Sequence, residues 1–94
     1  MVRRLASVAL VPMKKGQDQL VTLVDGSIVV GVGYTGGASV QLLLAVPVPH
    51  DSPEMVERSF RMLVIGDEIP EHYKYRGQAK VGPSIAFVYE RTKP

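Results

Sequence analysis

The sequence predicts an all-β fold: a small antiparallel β-sandwich or open barrel of six to seven strands, with at most one short helical turn. Three observations carry this expectation. Apolar residues recur at period two along most of the chain, which is the strand spacing. These runs return about every 10 to 15 residues with Gly-, Pro- or Asp-containing punctuation between them, as small sandwiches and barrels require. Helical spacing nowhere persists for more than a turn or two.

The 94 residues, 46% hydrophobic and 21% charged, describe one domain over 1–94, with an ordered core at 5–90 and a polar tail at 91–94. A chain this size buries roughly 60 to 65% of its unfolded surface. It has no cysteine, so there is no disulfide framework and no thiol chemistry, which fits a reducing cytoplasm. A net charge of +2 is too small by itself to argue for nucleic acid.

Taken in order, Arg3-Arg4 before the apolar run Leu5 to Met13 has the outline of a signal peptide. The run stops at Lys14-Lys15 without a small-x-small site and is far short of the ~20 residues of a membrane helix. It reads instead as a first strand, about Leu5 to Val11, and the protein is expected to be soluble. Gln19 to Val24 alternates weakly as a second strand. Asp25-Gly26 then signals a tight turn into the stretch around which the chain is organised, SIVVGVGYTGGASVQLLLAVPV from Ser27 to Val48.

That stretch reads as a central hairpin. Ile28, Val30, Val32 and Tyr34 fall on one face of its first strand, with Gly31 and Gly33 on the other, leaving gaps for a large side chain or another backbone. The turn lies in Thr35 to Ser39. Val40, Leu42, Leu44, Val46 and Val48 alternate along the second strand, whose opposite face, Gln41, Leu43, Ala45 and Pro47, is also largely apolar. Such a strand belongs at the centre of a fold or at an interface. Gly31-Val32-Gly33-Tyr34-Thr35-Gly36 also satisfies the G-x-G-x-x-G dinucleotide fingerprint. The segment after it has strand rather than helix periodicity and runs into Pro47 and Pro49, so no cofactor is expected.

After a loop with two prolines, Asp51 and Glu54 have capping-box spacing, which allows one helical turn near Pro53 to Glu57. Val56 to Ile65 alternates, with Arg58, Phe60, Met62 and Val64 on one side. Gly66 to His72 is an acidic loop. Tyr73 to Val81 sets Tyr73, Tyr75, Gly77, Ala79 and Val81, expected to be buried, against Lys74, Arg76, Gln78 and Lys80, expected to be wet. Gly82-Pro83 turns the chain into a last strand, Ser84 to Glu90.

The order DGSIVVGVGY, VQLLLAVPV, RSFRMLVIGDEIP, YKYRGQA, IAFVYE resembles a family of small phage-encoded β proteins of unknown function, mostly from phages of actinobacteria. Arg58, Phe60 and Gly66 match its R-x-F...G element, Tyr75 and Gly77 its Y-x-G element, and Tyr89-Glu90 its closing pair. Gly66-Asp67-Glu68 replaces the usual Gly-Thr-Gly, and the family's tryptophans are absent. The resemblance implies a β fold, a phage origin and hence the cytoplasm of an infected host cell. It supplies no catalytic residue.

The remaining candidates for chemistry are few. His50-Asp51 and Glu71-His72 would offer a metal two imidazoles and two carboxylates if their loops met; two exposed loop histidines are the simpler reading, and no metal is expected. No serine has a neighbouring base or elbow. Between Asp51 and Glu71 lie six acids and two arginines, and between Lys74 and Lys93 five bases and one acid. The expected function is therefore nonenzymatic: binding of another protein, a host factor. The alternative is a nucleic-acid-binding module using Lys74, Arg76 and Lys80, against which stands the expectation that the tyrosines alternating with these bases point inward. The candidate partner-binding residues are Lys74, Arg76, Lys80, Val29 and Leu43. The apolar surface left around the hairpin further leads us to expect a homodimer.

Overall fold

The computed structural model describes residues 2–10, 17–34, 36–37, 39–48 and 53–93. Among them the chain forms seven antiparallel strands in two sheets and no helix: β1 (Arg3–Leu10), β2 (Gln19–Val24), β3 (Ile28–Gly33), β4 (Val40–Pro47), β5 (Met55–Leu63), β6 (Tyr73–Val81) and β7 (Ser84–Arg91). Sheet A has the order β1-β4-β3 and sheet B the order β2-β5-β7-β6. No helix of the described residues is long and apolar enough to cross a membrane.

The two sheets pack as a sandwich. β4 is the middle strand of sheet A and turns Val40, Leu42 and Leu44 into the core, while Phe60, Met62, Ala86 and Val88 face them from sheet B. Leu10, Leu42, Leu44, Val40, Phe60 and Val88 are fully buried, each contributing about 1.5 to 3 kcal/mol by removal from water. The two apolar faces of β4 thus have different fates: one fills the core, and the other lies on the outside of sheet A.

β3 and β4 form the expected hairpin. Gly31 and Gly33 are strand residues, and the segment beyond Gly36 enters β4, so the helix on which a pyrophosphate would rest is a strand. Asp25-Gly26 does turn the chain, with Ser27 N–H donating to the Val24 carbonyl at 3.1 Å and Gly26 at φ 83°, a value only glycine adopts cheaply. It makes no hairpin, however. β2 pairs with β5 and β3 with β4, so this turn carries the chain from sheet B to sheet A. Pro53 and Glu54 are not helical and Met55 opens β5, which removes the helical turn near Pro53 to Glu57; its cap, Asp51, lies outside the described residues.

Two bulges correct the expected faces. In β3 the register skips Val30, pairing Val29 with Leu44 and Gly31 with Leu43. The extra residue reverses the alternation: Val29, Val32 and Tyr34 pack on the core, whereas Ile28 and Val30 are exposed. In β6 the register skips Arg76, pairing Tyr75 with Tyr89 and Gly77 with Val88. Gly77, Ala79 and Val81 therefore face inward, but Tyr73 and Tyr75 face outward. A Cβ on Gly77 would lie 2.8 Å from the Val32 side chain and 3.2 Å from its backbone nitrogen. The missing side chain is what lets β3 close against β6.

Candidate functional site

The bulge in β6 dismantles the basic strand face. Arg76 turns inward and its Nε donates to Glu90 Oε1 at 2.8 Å. Lys74 lies opposite Glu90 and Lys80 opposite Ile85, so these two lysines sit on opposite faces of sheet B. Lys74, Arg76 and Lys80 do not form one surface.

Arg76 joins instead an ion cluster at one end of the sandwich. Glu90, only 6% exposed, is gripped by Arg58 through Nε and Nη2, the latter at 2.7 Å. Arg58 Nη1 donates to the Ser27 carbonyl at 2.6 Å, tying the corner between the sheets to the cluster. Burial would raise the Glu90 pKa, but the hydrogen bonds and charges of Arg58 and Arg76 hold it below the ordinary value. Hydrogen bonding to Glu90 raises that of Arg58 against the effect of burial. A carboxylate fixed in its ionised form between two guanidiniums is a fastener, not a proton acceptor near neutral pH.

The outer face of sheet B carries a second network. Asp18 accepts from Ser59 Oγ at 2.7 Å and Arg61 Nε at 2.8 Å, and the Tyr73 hydroxyl lies 2.8 Å from both of its oxygens. Burial opposes ionisation of Asp18, yet these bonds hold its pKa below the ordinary value. Burial, followed by the bond to Asp18, raises that of Tyr73. Beside the network, Tyr75 is 48% exposed and meets Tyr89 edge-on at 5.7 Å between ring centroids. Lys80 and Arg91 share this outer face by register.

The outer face of sheet A is different in kind. Leu5 pairs with Ala45, Ser7 with Leu43, Ile28 with Ala45 and Gly31 with Leu43, so Leu5, Ile28, Leu43 and Ala45 form one apolar strip. Leu5 is 77%, Ile28 47% and Leu43 39% exposed. The gap expected at Gly31 and Gly33 is filled by Leu43, whose Cδ1 lies 3.8 and 3.9 Å from where their Cβ atoms would be. Leu43 thus keeps its place on a candidate surface, while Val29, turned inward by the bulge, leaves it. Leu5 and Ile28 were missed: Leu5 belongs beside Ala45 only once β1 is known to pair with β4, and Ile28 changes face because of the bulge.

His72 is exposed at φ 67°, with Nε2 4.0 Å from Glu71, and its carbonyl accepts from Thr92 N–H at 2.6 Å and Thr92 Oγ1 at 2.8 Å. This ties down the start of the tail. His50 lies outside the described residues. Among those described, no group of three or more His, Cys, Asp or Glu side chains is placed to hold a metal ion. Compared with models of known protein families, with curated proteins and with solved structures, the chain matches none.

Proposed function

We propose that this chain is a nonenzymatic phage accessory protein that binds another protein, a host factor, through the outer face of sheet A. The observation that carries the reading is the strip Leu5, Ile28, Leu43 and Ala45, contiguous by register across a three-stranded sheet and exposed at its leucines and isoleucine. Exposed apolar strips of this kind mark contact surfaces. The nonenzymatic part is supported by the two best-formed polar clusters, in which Glu90 and Asp18 are both committed to arginines. The phage origin is supported by the sequence resemblance.

One observation favours a second reading, nucleic-acid binding. The β6 bulge puts Tyr73 and Tyr75 on the same outer face as Tyr89, Lys80 and Arg91, and aromatics interleaved with bases on a sheet are what stack and hold single strands. Lysate of the host serves as the test, with the wild type, Leu43→Glu and Tyr75→Ala as baits, each with and without nuclease. A nuclease-resistant protein band lost in Leu43→Glu is the expected result. Recovery that is abolished by nuclease and by Tyr75→Ala, but survives Leu43→Glu, would replace the first reading with the second.

A further inference from the structure

The sheet edges of this sandwich are not alike. β3 and β6 each carry a bulge and approach one another at Val32 and Gly77, and β2 is only six residues long. Bulges and short length are the usual means of keeping an edge from pairing. β1 has neither. It runs eight residues in unbroken register with β4, contains no proline, carries its only charges, Arg3 and Arg4, together at one end, and is exposed on both faces from Arg3 to Ser7. No described strand pairs with its other side.

The groups on that side can be identified. Val48 N–H donates to the Val2 carbonyl at 3.0 Å, which makes Val2 and Val48 a hydrogen-bonded pair of the ladder. Antiparallel pairs alternate, so the backbone of Arg4, Ala6, Val8 and Leu10 points to β4, and that of Arg3, Leu5, Ser7 and Ala9 points to the open edge. Pro47, which has no N–H to give, lies opposite Arg3, as this phase requires.

We propose that a second copy of this chain binds at this edge, β1 pairing with β1 of the copy antiparallel about a twofold axis through Ala6, so that the two three-stranded sheets become one of six. In this register Arg3 lies opposite Ala9 of the copy and Leu5 opposite Ser7. All four outward-facing residues of each strand are then used. Twofold registers centred on Leu5 or on Ser7 use only three of the four. Charge agrees with the choice: the arginines face Ala9 and Val8 of the copy, and the two Arg3 residues stand about 20 Å apart at ~3.4 Å per residue. Ala6 meets its own copy as a non-hydrogen-bonded pair, where Cα atoms come within about 4.5 Å. The edge is distinct from the apolar strip, but pairing there makes the two strips continuous across six strands.

Because the chain has no cysteine, one substitution reads the register. Ala6→Cys places two thiols at disulfide distance across the axis and is expected to give a covalent dimer on mild oxidation, well in excess of Leu5→Cys or Ser7→Cys. Light scattering of the wild type over a micromolar dilution series should show a dimer mass. Ser7→Pro removes an N–H that points away from β4, so it should yield a folded monomer with an unchanged β spectrum. Val8→Pro, which removes one that points at β4, should instead lower the melting temperature. A wild type that is monomeric throughout, a dimer that survives Ser7→Pro, or crosslinking as efficient at Leu5→Cys as at Ala6→Cys would overturn the proposal. A monomer that still captures a protein partner sensitive to Leu43→Glu would sink the dimer and leave the apolar strip standing.

Discussion

The inner face of sheet B is built in two ways along the same strands. Towards its middle, Phe60 and Met62 of β5 and Val88 of β7 are apolar and fully covered by sheet A. Two residues further along β5 and β7, on the same face, stand Arg58 and Glu90, with Arg76 delivered beside them by the β6 bulge. Alternation puts Phe60, Met62, Val88, Arg58 and Glu90 inside, and the bulge adds Arg76, but neither decides what makes each position tolerable. In the apolar half it is shape. In the charged half it is a complete set of partners, since a buried carboxylate without them would cost several kcal/mol.

The difference implies that the apolar half holds more of the stability. Phe60→Ala should cost about 3 to 5 kcal/mol and Leu44→Ala about 2 to 5 kcal/mol, because each leaves a cavity in addition to the lost burial. Urea unfolding followed by circular dichroism measures both. A loss below ~1 kcal/mol at Leu44 would mean that β4 is not the middle of the core.

The charged half is expected to behave oppositely on single and double substitution. Arg58→Met leaves Glu90 with Arg76 alone and cuts the tie to Ser27, so it should cost about 2 to 3 kcal/mol, less than the 3 to 5 kcal/mol of a pair left wholly unpartnered. Adding Glu90→Leu should return only part of that loss: an ion pair replaced on both sides by apolar groups is often neutral, but Arg76 then loses its carboxylate partner. Losses that simply add in the double variant would show that Arg58 matters through contacts other than Glu90, such as its guanidinium over the Phe60 ring, 5.8 Å from the centroid, and its bond to the Ser27 carbonyl.

How much of this was legible follows from what alternation can and cannot encode. β2 and β6 begin and end where the spacing places them, and Leu42, Leu44 and Phe60 are buried as their runs imply. The bulges were not legible, because YKYRGQAKV alternates equally well with or without an extra residue. The only local trace is a glycine directly after each, Gly31 after Val30 and Gly77 after Arg76, as strand glycines often mark bulges. That one residue moved the tyrosines outside and Arg76 inside. Sheet order was equally hidden: Asp25-Gly26 turns the chain whether the next strand joins the same sheet or the other. The Arg58–Glu90 pair spans 32 residues, and nothing near either one announces it.

Gly77 offers a sharper test of how the two sheets meet. An alanine there brings its Cβ within 2.8 Å of Val32 Cγ2 and 3.2 Å of the Val32 nitrogen, and backbone cannot yield as a side-chain tip can. Gly77→Ala should therefore cost about 1 to 3 kcal/mol, the range for overpacking. Val32→Ala in the same chain removes Cγ2 but leaves the Val32 Cβ and nitrogen, each 3.2 Å away, and the φ of 155° at position 77, so it should restore only part of the loss.

The smallest expected effect is the dependence on pH. Folded Glu90 and Asp18 both titrate below their ordinary values of 4.5 and 3.8, so on acidification the unfolded chain takes up protons before the folded one does. Stability then rises with pH across that interval: the two contributions are complete above about pH 5 to 6 and are lost as pH falls through the folded values. Tyr73 is shifted the other way, above 10.0, so its contribution is present at neutral pH and is lost only as pH rises through its folded value. The expected profile is flat from about pH 6 to 9 and falls on the acid side. Asp18→Asn and Glu90→Gln each remove one titrating group, so each should flatten the acid limb of the urea midpoint plotted from pH 3 to 7. Glu90→Gln should lower the neutral plateau further than Asp18→Asn, because Glu90 is the more deeply buried of the two carboxylates. An acid limb as steep in the double variant as in the wild type would show that acid sensitivity comes from other carboxylates and that neither cluster holds its pKa down.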